Sequence, residues 1–134
     1  MRFMLDTNIC IYIIKRKPPQ VLEKLRALSI ADVGISSVTL AALEYGAAKS
    51  AQPEQNRDAL RGFLAPLEIS PFDDRAALHY AEIRAHLEKK GTPIGGMDML
   101  IASHARSLSA TLVTGNVKEF ERVPGLHTED WTQS

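Results

Sequence analysis

The chain has 134 residues, 45% apolar and 24% charged, which excludes a disordered polyelectrolyte and suits one folded domain, 1–134, around a single core. Sixteen basic residues balance sixteen acidic ones, so no overall charge marks a nucleic-acid partner, although residues 1–49 hold seven Lys or Arg against four Asp or Glu. The lone cysteine, Cys10, excludes an internal disulfide and fits a reducing compartment; with no secretion leader and no apolar run of ~18 residues, the expectation is a soluble cytoplasmic protein with no membrane partner.

RFML, residues 2–5, is a short, mostly apolar run suited to a buried strand, and it stops at Asp6. NICIYIIK then has helical spacing, and KPPQ at 17–20 breaks that helix. Pro19 suits the start of the next helix, which carries Val21, Leu22, Leu25 and Leu28 on one face. ADVGIS, 31–36, reads as a second strand. A helix follows from about Ser37 to Ser50, with cap-type residues at Ser36, Ser37 and Thr39 and an apolar stripe of Leu40, Leu43 and Ala47. Another helix opens near Pro53, and LEIS, 67–70, is a short strand.

PFDDRAALHYAEIRAHLEKKG is the clearest helix: Asp73 or Asp74 caps it, Ala76, Tyr80, Ile83 and Leu87 share a face, and Lys89, Lys90 and Gly91 end it. GGMDMLIASHARSLS forms a further helix and ATLVT at 110–114 a strand; NVKEFERV and a short strand at LHTED are the last elements. Strands alternating with helices predict an α/β fold with a mostly parallel sheet and right-handed crossovers. In such sheets function gathers at the carboxyl ends of the strands.

Two oxygen-bearing residues stand at such ends, and a third opens a helix. Asp6 directly follows the first strand, where a helix N-cap would also explain it. Asp98 falls in the first turn of a helix, where the dipole favours an acid in any case, yet Ile94, Met97, Leu100 and Ile101 surround it. Asn116 comes just past the strand ATLVT, and with Thr114 it could be an ordinary turn residue. If the first and fourth strands adjoin at a switch point, the three converge on one cleft. Clustered carboxylates repel unless a cation or protons compensate, and hard oxygen donors without His or Cys suit Mg²⁺ or Mn²⁺.

The pieces FMLDTNICIYIIK, ISSVTLAALEYGAAKS, GTPIGGMDMLIASHARS, LVTGNVKEFERVPGL and TEDW span nearly the whole chain. In these the chain resembles the PIN-domain ribonucleases, and within them the VapC toxins of bacterial toxin–antitoxin pairs. The resemblance implies a PIN-like central parallel sheet flanked by helices, and an acidic cleft that uses Mg²⁺ or Mn²⁺ to hydrolyse RNA to 5′-phosphate and 3′-hydroxyl ends. It implies Asp6 and Asp98 as catalytic acids and metal ligands, and Asn116 as a further ligand through water. Thr7, Asn8 and Thr114 are supporting residues, with Glu119 as an extra acid. The family's second acid is a Glu in a pattern resembling T-L-x-E-L-x-Y-G. Here TLAALEYG, residues 39–46, carries Ala42 at that position, as a natural change or a deliberate disarming one. Glu44 lies about 200° further around the helix and does not replace it. The chain is therefore expected to fold but to be catalytically impaired.

The resemblance further implies tRNA, cut in the anticodon stem-loop, as substrate, a VapB antitoxin as partner, and a homodimer. Lys15, Arg16, Lys17, Arg106, Lys118 and Arg122 are candidate phosphate contacts. The four histidines read as structural, Cys10 as core, and Trp131 as the anchor of the C-terminal segment. Two other readings stand beside this one: a non-catalytic binder of antitoxin or RNA, and a receiver-type phosphoacceptor domain.

Overall fold

The computed structural model describes residues 1–133. In chain order the elements are β1 (Phe3–Leu5), α1 (Thr7–Lys15), α2 (Pro19–Arg26), β2 (Val33–Ser36), α3 (Ser37–Ala48), α4 (Pro53–Leu64), β3 (Glu68–Ser70), α5 (Asp74–Lys90), α6 (Gly96–Ser107), β4 (Thr111–Val113), α7 (Val117–Phe120) and β5 (His127–Glu129). The strands form one parallel sheet in the order β3-β2-β1-β4-β5. The chain winds outward from β1 to β3, then crosses back with α5 and α6 to place β4 on the other side of β1. The switch therefore falls between β1 and β4, where Leu5 pairs with Val113. This order also sets aside the receiver-type reading, whose doubly wound sheet runs 2-1-3-4-5.

Alternation along β1 and β4 divides the interior in two. Phe3, Leu5 and Val113 face a core built with Ile9, Cys10 and Ile13 of α1, Val21, Leu43, Leu60 and Trp131. Met4 and Leu112 face the other core, with Ile83 and Leu87 of α5, Ile101, Ala102 and Ala105 of α6, and Phe120. Trp131 packs its ring 6.1 Å from that of Phe3, which closes the first core at its C-terminal edge.

Local chemistry explains the boundaries. Asp6, Ser36 and Asp73 each accept a hydrogen bond from a backbone N–H in the first turn of the helix they precede. Gly91 ends α5 with φ 68°, a conformation that favours glycine. The sequence reading differs from the structure in detail. Ile30–Asp32 form a 3₁₀ turn, so the second strand starts at Val33, and α3 stops at Ala48, where Ser50 Oγ takes over the Ala47 carbonyl at 2.7 Å. On α3 the fully buried polar position is Thr39, whereas Leu40 is only half-buried.

Candidate functional site

Asp6 leaves the carboxyl end of β1 and is held from three directions. Its backbone N–H donates to the Val113 carbonyl at 3.0 Å, its Oδ1 accepts the Ile9 N–H at 2.9 Å, and the Thr114 hydroxyl donates to its carboxylate. The same Thr114 oxygen accepts the Asn116 N–H at 3.0 Å, so one hydroxyl ties the end of β4 to the end of β1. Asp6 is 7% exposed. Burial pushes its carboxyl above the usual carboxylate range, the bonds from Thr114, Ile9 and Asn8 pull it back, and nearby Asp130 raises it again.

Asp98 stands in the first turn of α6, half-buried. Its carboxyl is also raised, by burial first, then by Glu119, then by Asp6. Glu119, on α7, accepts the Gly95 N–H at 3.4 Å through Oε1 and the Asn116 side-chain amide through Oε2. The structure thus gathers Asp6, Asp98, Asn116, Thr114 and Glu119 at the β1–β4 switch, with Thr7 and Asn8 opening α1 beside them. Among the described residues, no Lys, Arg or His forms an ion pair with Asp6, Asp98 or Glu119. Negative charge is concentrated there without a counter-charge, an arrangement that a cation relieves.

The oxygen-only donors suit a hard divalent ion in kind. They fall short in number: among the described residues, no group of three His, Cys, Asp or Glu side chains stands ready to hold a metal ion. Ala42 lies on a separate groove of about 290 Å³ lined by Ile11, Ile14, Lys15, Leu43, Ala47 and Leu60. One turn before it on α3, Thr39 Oγ1 is buried without a hydrogen-bond partner among the described residues. Helical side chains lean toward the helix N-terminus, and residues three apart are neighbours. The cleft that Asp6 lines does not include Ala42. Glu44 is exposed.

Two features were not legible in the sequence. A cleft of about 490 Å³ opens beside Asp6, lined by Asn8, Tyr12, Pro18, Thr114, Gly115, Asn116 and Thr132. Pro18 and Thr132 gave no signal, because they reach the cleft only through tertiary packing. On the other flank, His104 is buried with Nδ1 2.7 Å from Ser36 Oγ and Nε2 3.2 Å from Ser70 Oγ. The basic candidates divide. Arg106 is not available to phosphates: it donates to His79 Nδ1 at 2.8 Å, to Glu82 at 3.0 Å and to the Pro124 carbonyl at 3.1 Å. Arg122 donates to the Pro93 carbonyl at 3.1 Å. Lys15, Arg16, Lys17 and Lys118 are exposed and form no ion pair among the described residues.

A PIN domain model matches residues 3–126. The tRNA(fMet)-specific endonuclease VapC of Salmonella typhimurium is 48% identical over 131 residues, covering 98% of each chain. Ribonuclease VapC2 of Rickettsia felis is 48% identical over 132 residues, again 98% of each. In the crystal structure of DNA-bound VapBC from Salmonella typhimurium, a chain 47% identical superposes with a TM-score of 0.93, covering 98% of both chains. With the sheet order, the acid-bearing strand ends and near-half identity along the chain all in agreement, this chain belongs to the VapC ribonucleases of the PIN-domain family.

Proposed function

We propose that this chain is the toxin of a VapBC toxin–antitoxin pair, with a site built for Mg²⁺- or Mn²⁺-dependent cleavage of tRNA and impaired by Ala42. The observation that carries the metal assignment is the pair Asp6 and Asp98, both with raised carboxyls and no cationic partner among the described residues. Asp6 and Asp98 would hold the ion, with Asn116 and Glu119 beside them. A bound divalent ion supplies Lewis-acid polarisation of a phosphoryl oxygen and a water of lowered pKa. The protein's own part is orientation. Ile9 N–H and the Thr114 hydroxyl fix the Asp6 carboxylate before substrate arrives. Glu119 holds the Asn116 amide and adds negative charge beside Asp98. Loss of a side chain that only supports a metal ligand costs about 10–100-fold in affinity or activity, and the missing carboxylate at 42 costs at least that.

The names of the relatives support tRNA as substrate and an antitoxin as partner. The apolar groove beside Ala42, bounded by α1, α3 and α4, suits the apolar side chains of an antitoxin segment. A homodimer acting in the cytoplasm completes the reading. Among the described residues no helix is long and apolar enough to cross a membrane. The second reading, a chain that binds antitoxin or RNA without cutting, is favoured by Ala42 itself.

The test compares tRNA cleavage and melting temperature for the chain and for Ala42→Glu, each with Mg²⁺, Mn²⁺ or EDTA. The expected outcome is cleavage by Ala42→Glu only, stopped by EDTA, and a larger metal-induced rise in Tm for that variant. Equal cleavage by both would refute the impairment, and cleavage that persists in EDTA would refute the metal assignment. If neither cuts while both bind a VapB peptide, the binder reading replaces the enzyme one.

A further inference from the structure

The cleft beside Asp6 is not accounted for by the carboxylates. Tyr12 and Pro18 give it apolar faces, Asn8 and Asn116 give it amides, and Thr132 forms part of its wall. That wall is pinned: Gln20 Nε2 donates to the Thr132 carbonyl at 2.8 Å, the Thr132 N–H donates to Asp130 Oδ1 at 2.8 Å, and Trp131 is buried between them in sequence. Its volume of about 490 Å³ lies within the roughly 300–1,000 Å³ of small-ligand sites. Asp6 lines one part of it, and its carboxylate disfavours a second anion such as a phosphate in the interior. A flat, uncharged, hydrogen-bonding group suits it instead. Arg16 and Lys17 follow the end of α1 and immediately precede Pro18 of the lining, exposed and with no ion pair among the described residues.

From this arrangement we infer that the cleft is a base pocket: it takes one unstacked nucleobase of the RNA next to the phosphate at Asp6, on the face of Tyr12. Asn8 and Asn116 read the edge of that base, while the flanking backbone follows Arg16 and Lys17. RNA-binding proteins recognise single-stranded positions in this way, by stacking a splayed base on an aromatic ring and reading its edge with polar groups. Tyr12 is then a specificity-determining residue. The inference rests on the ribonuclease reading and adds where the substrate's sequence is sensed.

The test measures binding of short fluorescent single-stranded RNAs to the full chain, using a parent oligonucleotide and a series with one abasic ribose at each position. Stacking of one base implies a loss of about 5- to 150-fold in affinity when the ring is removed. Tyr12→Ala is expected to lose that much, and Tyr12→Phe and Tyr12→Trp to stay near the parent. One abasic position should weaken the unaltered chain by a similar factor, with no further effect in Tyr12→Ala. Because Tyr12 is half-buried, Tyr12→Leu, which fills the space without a π face, serves if the alanine variant melts early; it should bind as weakly as Tyr12→Ala. Equal binding by the folded Tyr12 variants, or no single abasic position that matters to the unaltered chain, overturns the base pocket while leaving the ribonuclease reading intact. Failure of the chain to bind RNA, together with failure of Ala42→Glu to cut it, overturns both.

Discussion

Thr39 is a buried polar residue on α3 whose side chain the fold leaves unpaired. Its hydroxyl is fully buried and has no hydrogen-bond partner among the described residues, one turn from Ala42. An unpaired buried polar group costs about 1–3 kcal/mol, so replacing it with an isosteric methyl removes a penalty rather than a bond. Thr39→Val is therefore expected to raise stability or leave it unchanged in urea unfolding. If position 42 is the site of a lost carboxylate, the same change made in the Ala42→Glu background should be less favourable, and a double-mutant cycle reads that difference. Ser36 is the opposite case. Its Oγ accepts the Val38 N–H at 3.0 Å and lies 2.7 Å from His104 Nδ1, so Ser36→Ala should cost about 1–3 kcal/mol in the same assay. Sequence alone grouped Ser36, Ser37 and Thr39 as cap-type residues; only burial and partners separate them.

Among the elements, α5 and α6 are joined to the segment before β5 through one side chain. Arg106 of α6 reaches His79 and Glu82 on α5 and the Pro124 carbonyl, and its side chain is only 15% exposed. The sequence pattern made Arg106 a candidate phosphate contact because an exposed arginine and a clamping arginine have the same periodicity. The geometry assigns it to structure. Arg106→Ala should lower stability by about 2 kcal/mol, in the range of hydrogen bonds to charged groups, and leave the RNA affinity of the folded chain unchanged. Alanine at Lys15, Arg16 or Lys17 should do the reverse: little change in Tm, weaker RNA binding, and a shallower dependence of affinity on salt.

Across the whole molecule, His104 ties the stability of the fold to pH. It joins α6 to the ends of β2 and β3 through Ser36 and Ser70, with the Phe72 ring against its own at 5.5 Å. Burial lowers its pKa from the ordinary value of 6.5, and Asp73 opposes this. The unfolded chain therefore takes up this proton at a higher pH than the folded one. Stability from His104 is complete above 6.5 and declines as the pH falls below that value toward the folded pKa. Melting curves across that window should show Tm falling for the chain and falling less for His104→Gln. Asp6 and Asp98 have the opposite sign: their raised carboxyls favour the folded state below 3.8, and that contribution is lost as the pH rises through their folded pKa values.

The amino-acid order by itself determined most of the strands and helices, because periodicity, caps and proline breaks are local and each segment carries its own; the 3₁₀ turn at Ile30–Asp32 was not among them. It also determined that Asp6 follows a strand and Asp98 opens a helix, and, through the family motif, that position 42 carries no carboxylate. Tertiary structure decided everything that depends on which ends meet. Placing β4 beside β1 put Thr114 on Asp6 and brought Asp98 and Glu119 within repelling distance. Local patterns do not encode strand order, so Glu119 read only as an extra acid, although it holds both Asn116 and Gly95. Tyr12 and Thr132 stand 120 positions apart in the sequence, and they line one cleft only because Trp131 folds the last strand's end back onto Phe3.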